Sequence, residues 1–201
     1  MSYELFGDDV LFFQRLLKAD GFYIGRLDGL WGPLTETASN AFDAEYEVAR
    51  EELGTFDRRT EKHISTLSMQ AQKEARHFMT RALSQGVNVK IISGTRTYEE
   101  QNKLFRQGRY GNPGRKVTNA RGGKSNHNFG IAWDIGIFNP DGSYSHNSVD
   151  YKNLAVYAKQ SLDWGGNWRS FNDPPHYQLQ TIQPKISWVR LRFENGEIYV
   201  A

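Results

Sequence analysis

Two short stretches hold the residues that can do chemistry. The first is Ser125-Asn126-His127-Asn128-Phe129-Gly130-Ile131-Ala132-Trp133-Asp134-Ile135-Gly136-Ile137. From Ile131 it alternates: Ile131, Trp133, Ile135 and Ile137 share one face of a strand, and Ala132, Asp134 and Gly136 share the other. Asp134 is therefore a carboxylate between the two smallest side chains, on a face left open to a ligand. A charge inside an apolar strand is costly unless it is paired or binds a metal. The second stretch is Phe171-Asn172-Asp173-Pro174-Pro175-His176-Tyr177. Its prolines cannot continue a helix or donate to a ladder, so they stiffen the backbone between Asp173 and His176. Each stretch alone also reads blandly, as an ordinary strand with a solvated Asp134 and as a turn with a surface Asp173 and a capping His176. Together they offer one chemistry. His127, Asp134 and His176 are ligands of the N/N/O type that zinc accepts, with the fourth position open to water as in catalytic sites. Asp173 is then the carboxylate that takes the proton of that water. A His-plus-Asp set does not by itself exclude another transition metal.

These residues need elements to position them. A strand over Val87–Ile92 runs into Ser93-Gly94-Thr95-Arg96-Thr97, and a helix follows over Tyr98–Gln107. Residues 108–126 are a loop rich in Gly, Asn, Arg and Lys. The strand over Ile131–Phe138 leads to a turn, then to a helix over Tyr151–Leu162 and a loop over Trp164–Pro175. Short strands are expected at His176–Leu179 and Trp188–Phe193, with Asn195-Gly196 as a hairpin turn. Upstream, Leu67, Ala71, Ala75, Phe78 and Ala82 mark one face of a helix ending near Gly86. Residues 47–66 are highly charged, helical or linking. Before them lies a helix–loop–helix pattern: Val10, Phe13, Leu16 and Leu17 recur at helical spacing, and Ala38, Ala41 and Phe42 mark a second helix starting near Thr35.

The 201 residues suffice for one domain, or a domain with a small satellite, and for a real core. Hydrophobic residues are 38% and charged residues 24%, so disorder and coiled coil fit poorly. A formal charge of +2 gives no case for nucleic acid as a partner. With no Cys, both a disulfide framework and a Cys-rich zinc site are excluded. No run of about 18 apolar residues exists, so no membrane span is expected. Asp8, Asp9, Arg15, Lys18 and Asp20 interrupt the first thirty residues, so no ordinary signal peptide is expected either.

The pattern Ser-x-His-x-x-Gly-x-Ala-x-Asp from Ser125 to Asp134, followed by Asp173-x-x-His176, resembles the zinc D-alanyl-D-alanine carboxypeptidase family. That family includes VanY-like carboxypeptidases, D,D-dipeptidases and the L-alanyl-D-glutamate endopeptidases of phage endolysins. Ser93-Gly94-Thr95-Arg96-Thr97 with Glu100-Gln101, Val117-Thr118-Asn119-Ala120, and Trp164-Gly165-Gly166-Asn167-Trp168 are similar to its other motifs, in the same order. The likeness covers Leu67 to Leu179 and is nearest to the endolysin branch. It implies that His127, Asp134 and His176 hold zinc and that Asp173 is general base and acid. It further implies that Arg96 orients the scissile carbonyl and steadies the oxyanion. Ser125 and Trp168 are implied as supporting residues. Asn167 departs from the family's Asp, which puts any hydrogen bond made by that Asp in doubt. His63 and His77 read as bland, and His146 as a candidate at the site's rim. Trp133, Trp164 and Trp168 read as groove lining or as core.

Gln14-x-x-Leu17 followed by Gly21-Phe22-Tyr23-x-Gly25-x-x-Asp28-Gly29-x-Trp31-Gly32-x-x-Thr35 resembles a small helical peptidoglycan-binding domain. Here Asp28 is expected to close its loop onto backbone amides. The other reading is a helical hairpin that merely packs on the larger part.

The expected fold class is α+β: a small antiparallel sheet with flanking helices holding a zinc site, preceded by a small all-helical module. Residues 1–50 are the peptidoglycan-binding-like module, 51–66 a linker, and 67–201 the zinc peptidase domain. The expected function is bacteriolytic hydrolysis of the peptidoglycan stem at the L-Ala–D-Glu bond. The alternatives are D-Ala–D-Ala carboxypeptidase activity and a non-catalytic wall-binding protein on the same scaffold. The expected cofactor is Zn2+ and the expected state a monomer. The protein is expected to be made in the cytoplasm and to act on the wall after release.

Overall fold

The computed structural model describes residues 9–201. Residues 1–8, the start of the expected N-terminal module with Asp8, lie outside them. The architecture is α+β, as expected. Helices α1 (Val10–Ala19), α2 (Pro33–Leu53), α3 (Arg58–Ile64) and α4 (Met69–Ser84) precede strand β1 (Val89–Ser93) and helix α5 (Tyr98–Arg106). After a long loop come a 3-10 turn (Asn126–Phe129), β2 (Ala132–Ile137), α6 (Ser148–Ala155) and β3 (Leu162–Trp164). A second 3-10 turn (Gly165–Asn167), β4 (His176–Leu179) and α7 (Ile186–Glu194) complete the chain's elements.

The four strands form one sheet in the order β1-β2-β4-β3, every neighbouring pair antiparallel. Trp133, Ile135 and Ile137 are buried on one face of β2, as the alternation requires. On that side Trp133 stacks on Tyr177 at 6.3 Å between ring centroids, and Phe78 of α4 meets Tyr177 at 4.6 Å. Burying each such ring is worth about 1.5–3 kcal/mol. Trp133 is therefore core.

Two expectations fail at the C-terminus. Residues 188–193 are not a strand but the body of α7, and Asn195-Gly196 is not a hairpin. Val189 and Phe193, four residues apart, are buried on one helix face. Phe193 packs on Phe12 and Phe129 at 5.3 and 5.4 Å. Aromatic and β-branched content was mistaken for strand preference, which depends on packing context. Gly196 ends the helix in the left-handed region (φ +65°), donating its N–H to Phe193 O at 2.9 Å. The expected helix over Tyr151–Leu162 ends early, at Ala155, and the short strand β3, which begins at its expected last residue, pairs with β4.

Residues 51–66, expected to link, are mostly helical: α2 runs to Leu53 and α3 packs against β1. A buried ion pair fastens this region. Arg76 of α4, fully buried, donates to Glu61 Oε1 and Oε2 of α3 at 2.9 and 2.8 Å and to Gly54 O at 2.7 Å. Glu61 also accepts from the Tyr46 hydroxyl and the Phe56 amide, each at 2.8 Å. The cluster offsets the desolvation of both charges with hydrogen bonds, except at Arg76 Nε, which is buried without a partner among the described residues.

The α1–α2 hairpin closes around Gln14. Its Oε1 accepts from Asp28 N and Gly29 N at 3.1 and 2.9 Å, and its Nε2 donates to Asp28 Oδ1 at 3.0 Å. Asp28 Oδ1 in turn accepts from Leu30 N at 3.0 Å, the loop closure its position predicts. One hydrophobic core runs through both parts of the chain, from Phe13 and Phe42 to Ile135 and Leu179.

Candidate metal centre

Three elements each deliver one group. Asp134 stands on the open face of β2, and His176 faces it directly across the β2–β4 pairing. His127 comes from the 3-10 turn, which Gly130 ends in the left-handed region at φ +72°. A side chain at Gly130 would meet Leu16 Cδ1 at 2.7 Å, so α1 packs hard against the turn that carries His127.

The three ligand atoms converge. His127 Nε2 lies 3.2 Å from Asp134 Oδ1 and 3.2 Å from His176 Nδ1, and His176 Nδ1 lies 3.1 Å from Asp134 Oδ1. Around a tetrahedral zinc ion with bonds of about 2.0–2.1 Å, ligand atoms stand about 3.3 Å apart. The residues present fit such an ion in donor type and in spacing.

The outer nitrogens fix the tautomers. His127 Nδ1–H donates to Gly94 O at 2.8 Å, which leaves the Nε2 lone pair toward the centre. His176 Nε2–H donates to Gln178 Oε1 at 3.0 Å, which leaves Nδ1 free. Asn126 Nδ2 donates to the same oxygen at 2.8 Å and so holds the Gln178 amide the right way round. Sequence reasoning missed Gln178 as a support. Its signal was the period of two, which puts it on the face of His176.

The two histidines are shifted in opposite directions: burial acts to lower His176, but the hydrogen bond and charge of Asp134 outweigh it and raise His176 above its ordinary value. Burial pushes His127 down to about 4, so it is neutral and able to ligate. Burial acts to raise the Asp134 carboxyl, and the two imidazoles outweigh it, holding that carboxyl well below the ordinary value.

Arg96 stands beside the centre, but mostly engaged. Its Nη2 donates to Asp134 Oδ2 at 2.8 Å and to Ser93 Oγ at 3.1 Å, Nε donates to Ser93 Oγ at 3.2 Å, and Nη1 donates to Gln101 Oε1 at 2.9 Å. A guanidinium has five N–H donors. One on Nη1 is left without a partner among the described residues.

Asp173 lies on the wall of a cavity of about 1080 Å³ that also contains the three ligands, Arg96, Ser125 and Trp168. Its backbone is pinned: the N–H donates to Gly165 O at 3.0 Å, and its carbonyl accepts from His176 N at 3.1 Å. Gly165 leaves no room for a side chain against that carbonyl, which is the physical use of the first glycine in the Trp-Gly-Gly stretch. Burial first, and then the charge of Asp134, raise the Asp173 carboxyl above its ordinary value. Trp168 lies 4.9 Å from the His176 ring, centroid to centroid. Trp164 instead braces the proline turn, donating Nε1–H to Pro174 O at 2.7 Å. Asn167 is exposed and stands apart from the cavity wall. His146 is exposed and packs on Tyr144, which lines the cavity, at 5.0 Å.

Residues 64–165 match the D-alanyl-D-alanine carboxypeptidase (VanY) family. The chain belongs to that family. His127 and Asp134 fall inside the matched stretch, and Asp173 and His176 just beyond it. Among curated relatives, the chain is 38% identical over 108 residues to the peptidoglycan L-alanyl-D-glutamate endopeptidase CwlK of Bacillus subtilis strain 168. That match covers 49% of this chain and 64% of the relative, so it spans less than two thirds of the relative's length. Among solved structures, the L-Ala D-Glu endopeptidase ChiX of Serratia marcescens is 23% identical with a TM-score of 0.49, over 62% of this chain and 89% of ChiX. VanYB in complex with D-alanine-D-alanine is 19% identical with a TM-score of 0.43, over 66% of this chain and 79% of VanYB.

Proposed function

We propose that this protein is a zinc-dependent peptidoglycan hydrolase that cuts the stem peptide at the L-Ala–D-Glu bond. The observation that carries this reading is the convergence of His127 Nε2, Asp134 Oδ1 and His176 Nδ1 beside the free carboxylate of Asp173, in a member of this family. A bound zinc ion supplies Lewis acidity, lowering the pKa of a water and polarising a carbonyl. The protein's own groups do the rest. Asp173, in its ionised form, accepts the proton of the attacking water and then delivers it to the leaving amine. Its rigid proline turn keeps that carboxylate in place through both transfers. Arg96 orients Asp134 through the Nη2–Oδ2 contact, and its cation stabilises the negative charge that develops on the scissile oxygen. Trp168 shields His176 on the cavity side.

The relative of known name at 38% identity is an L-alanyl-D-glutamate endopeptidase, which favours that bond. The family description favours the second reading, a D-Ala–D-Ala carboxypeptidase. The N-terminal hairpin is read as a wall-binding module that raises the effective concentration of the site on its polymer. The protein is read as acting on the wall after release from the cytoplasm.

The test is mass spectrometry of purified peptidoglycan digested with zinc and with chelator. New N-terminal D-Glu, only with zinc, is the expected result. Free D-Ala instead establishes the carboxypeptidase. No new fragment from any wall type, with zinc bound, overturns the hydrolase reading and leaves a wall-binding scaffold.

A further inference from the structure

The two candidate bonds share a chemical feature. In each, the carbon that carries the leaving nitrogen also carries a free α-carboxylate. In a terminal D-Ala–D-Ala this is the C-terminus. In the stem, D-Glu continues the chain through its γ-carboxyl, so its α-carboxylate stays free. A site for either bond must place that anion within a few ångströms of the scissile amide.

Lysine and arginine line the cavity at two positions, Arg96 and Lys124. Arg96 is committed to Ser93, Gln101 and Asp134. The exposed Lys124 has no anionic partner among the described residues. It stands three residues before the ligand His127, and its backbone is held firmly. Gly122 N–H donates to Asn102 Oδ1 at 2.9 Å, Gly123 N–H to Asn128 Oδ1 at 3.0 Å, and Lys124 N–H to Arg121 O at 3.0 Å. Gly123 takes φ +73°, a conformation in which a side chain is strained. Asp134, Asp163 and Asp173 also line the cavity, but the segment that carries Lys124 is one-sided in charge. Between residues 101 and 133 the chain has Lys103, Arg106, Arg109, Arg115, Lys116, Arg121 and Lys124 and no acid, although the net charge of the whole protein is only +2. Of these only Lys124 lines the cavity, at its exposed rim, where it gives an anion a charge-assisted contact.

We propose that Lys124 is a specificity residue that binds the free α-carboxylate of the residue leaving with the amine. The proposal rests on the peptidase reading above. It predicts that the protein distinguishes stem peptides in which this carboxyl is free from those in which it is amidated.

The test uses two synthetic stem peptides, identical except that the D-Glu α-carboxyl is free in one and a carboxamide in the other. For the second bond, C-terminal D-Ala is supplied as acid and as amide. The zinc-loaded wild type is expected to cleave the acid at least about tenfold better in kcat/KM, mostly through KM, and added salt narrows the gap. Lys124→Gln brings the acid-to-amide ratio near one, and Lys124→Glu reverses it, with zinc content as in wild type. Equal cleavage of both peptides by the wild type, or an equal loss on both in Lys124→Gln, overturns the proposal. Calorimetry of the same peptides on the zinc-loaded Asp173→Asn protein separates the two readings. If the zinc-loaded wild type cuts neither peptide yet the acid binds tighter through Lys124, the hydrolase reading fails and carboxylate recognition stands. If poly(glycerol phosphate) competes while acid and amide bind alike, the rim serves a phosphate polymer and the proposal falls.

Discussion

Asp173 and Gln178 touch the same histidine and do different work. Asp173 makes no side-chain hydrogen bond among the described residues and faces the cavity, so its carboxylate is free to move a proton. On the proposed mechanism, replacing it by Asn removes the base and leaves the three candidate ligands in place. Turnover is expected to fall by about 10²–10⁴-fold while zinc content, measured by atomic absorption, is retained. The pH profile follows from the raised carboxyl. The base form is lost as pH falls through that raised value. The acid limb of kcat/KM is therefore expected above about 3.9, the ordinary aspartate value, and a limb at or below it contradicts the assignment. Gln178 acts on the metal side. Gln178→Leu frees His176 Nε2–H from its acceptor and is expected to weaken zinc binding about 10–100-fold in a chelator competition. Gln178→Glu keeps an acceptor there and is expected to restore the affinity.

At the scale of elements, the site depends on how tightly its loops are seated. The second 3-10 turn and the proline turn touch at Gly165, where a methyl group would run into the Asp173 carbonyl and come within 3.0 Å of His176 Cβ. Gly165→Ala must therefore displace the segment that carries Asp173. A shift of about 1 Å costs on the order of 10² in rate. Loss of kcat of that size, with the fold intact by circular dichroism, is the expected result. Activity equal to wild type would show that the turn can yield. The strands were legible in sequence where one face is apolar, as in β2. The helix α7 was not, because its buried positions are filled from two directions, by α1 and by the turn after Ser125, and neither neighbour is visible from local pattern.

For the whole molecule, the helices before the sheet are structural parts of the site's support. The Glu61–Arg76 pair ties α3 to α4, and α3 lies against β1, whose Ser93 and following Gly94 contact Arg96 and His127. Arg76→Met leaves a carboxylate in a buried site with its main partner removed. A destabilisation of about 3–5 kcal/mol is expected in urea unfolding. A change under about 1 kcal/mol would mean that Tyr46 and Phe56 satisfy Glu61 alone. The core shared between the α1–α2 hairpin and the sheet also predicts that the two parts unfold in one transition.

Sequence alone named the residues that converge at the candidate centre. His127, Asp134, Asp173 and His176 could be named because donor type, strand alternation and a proline-stiffened turn are local properties, and the family likeness joined them. It also determined the loop closure at Asp28, whose carboxylate acts two residues on, while the hub role of Gln14 came only with the structure. Tertiary structure decided what depends on contacts between distant segments. It set the spacing of the three ligand atoms, the commitment of Arg96 to Asp134, and the pairing of Gln178 with Asn126. It also made helices of the charged segment and of the C-terminal stretch. The physical reason is burial: a guanidinium, an amide or a phenylalanine takes the partner that folding brings to it, and that partner lies dozens of residues away.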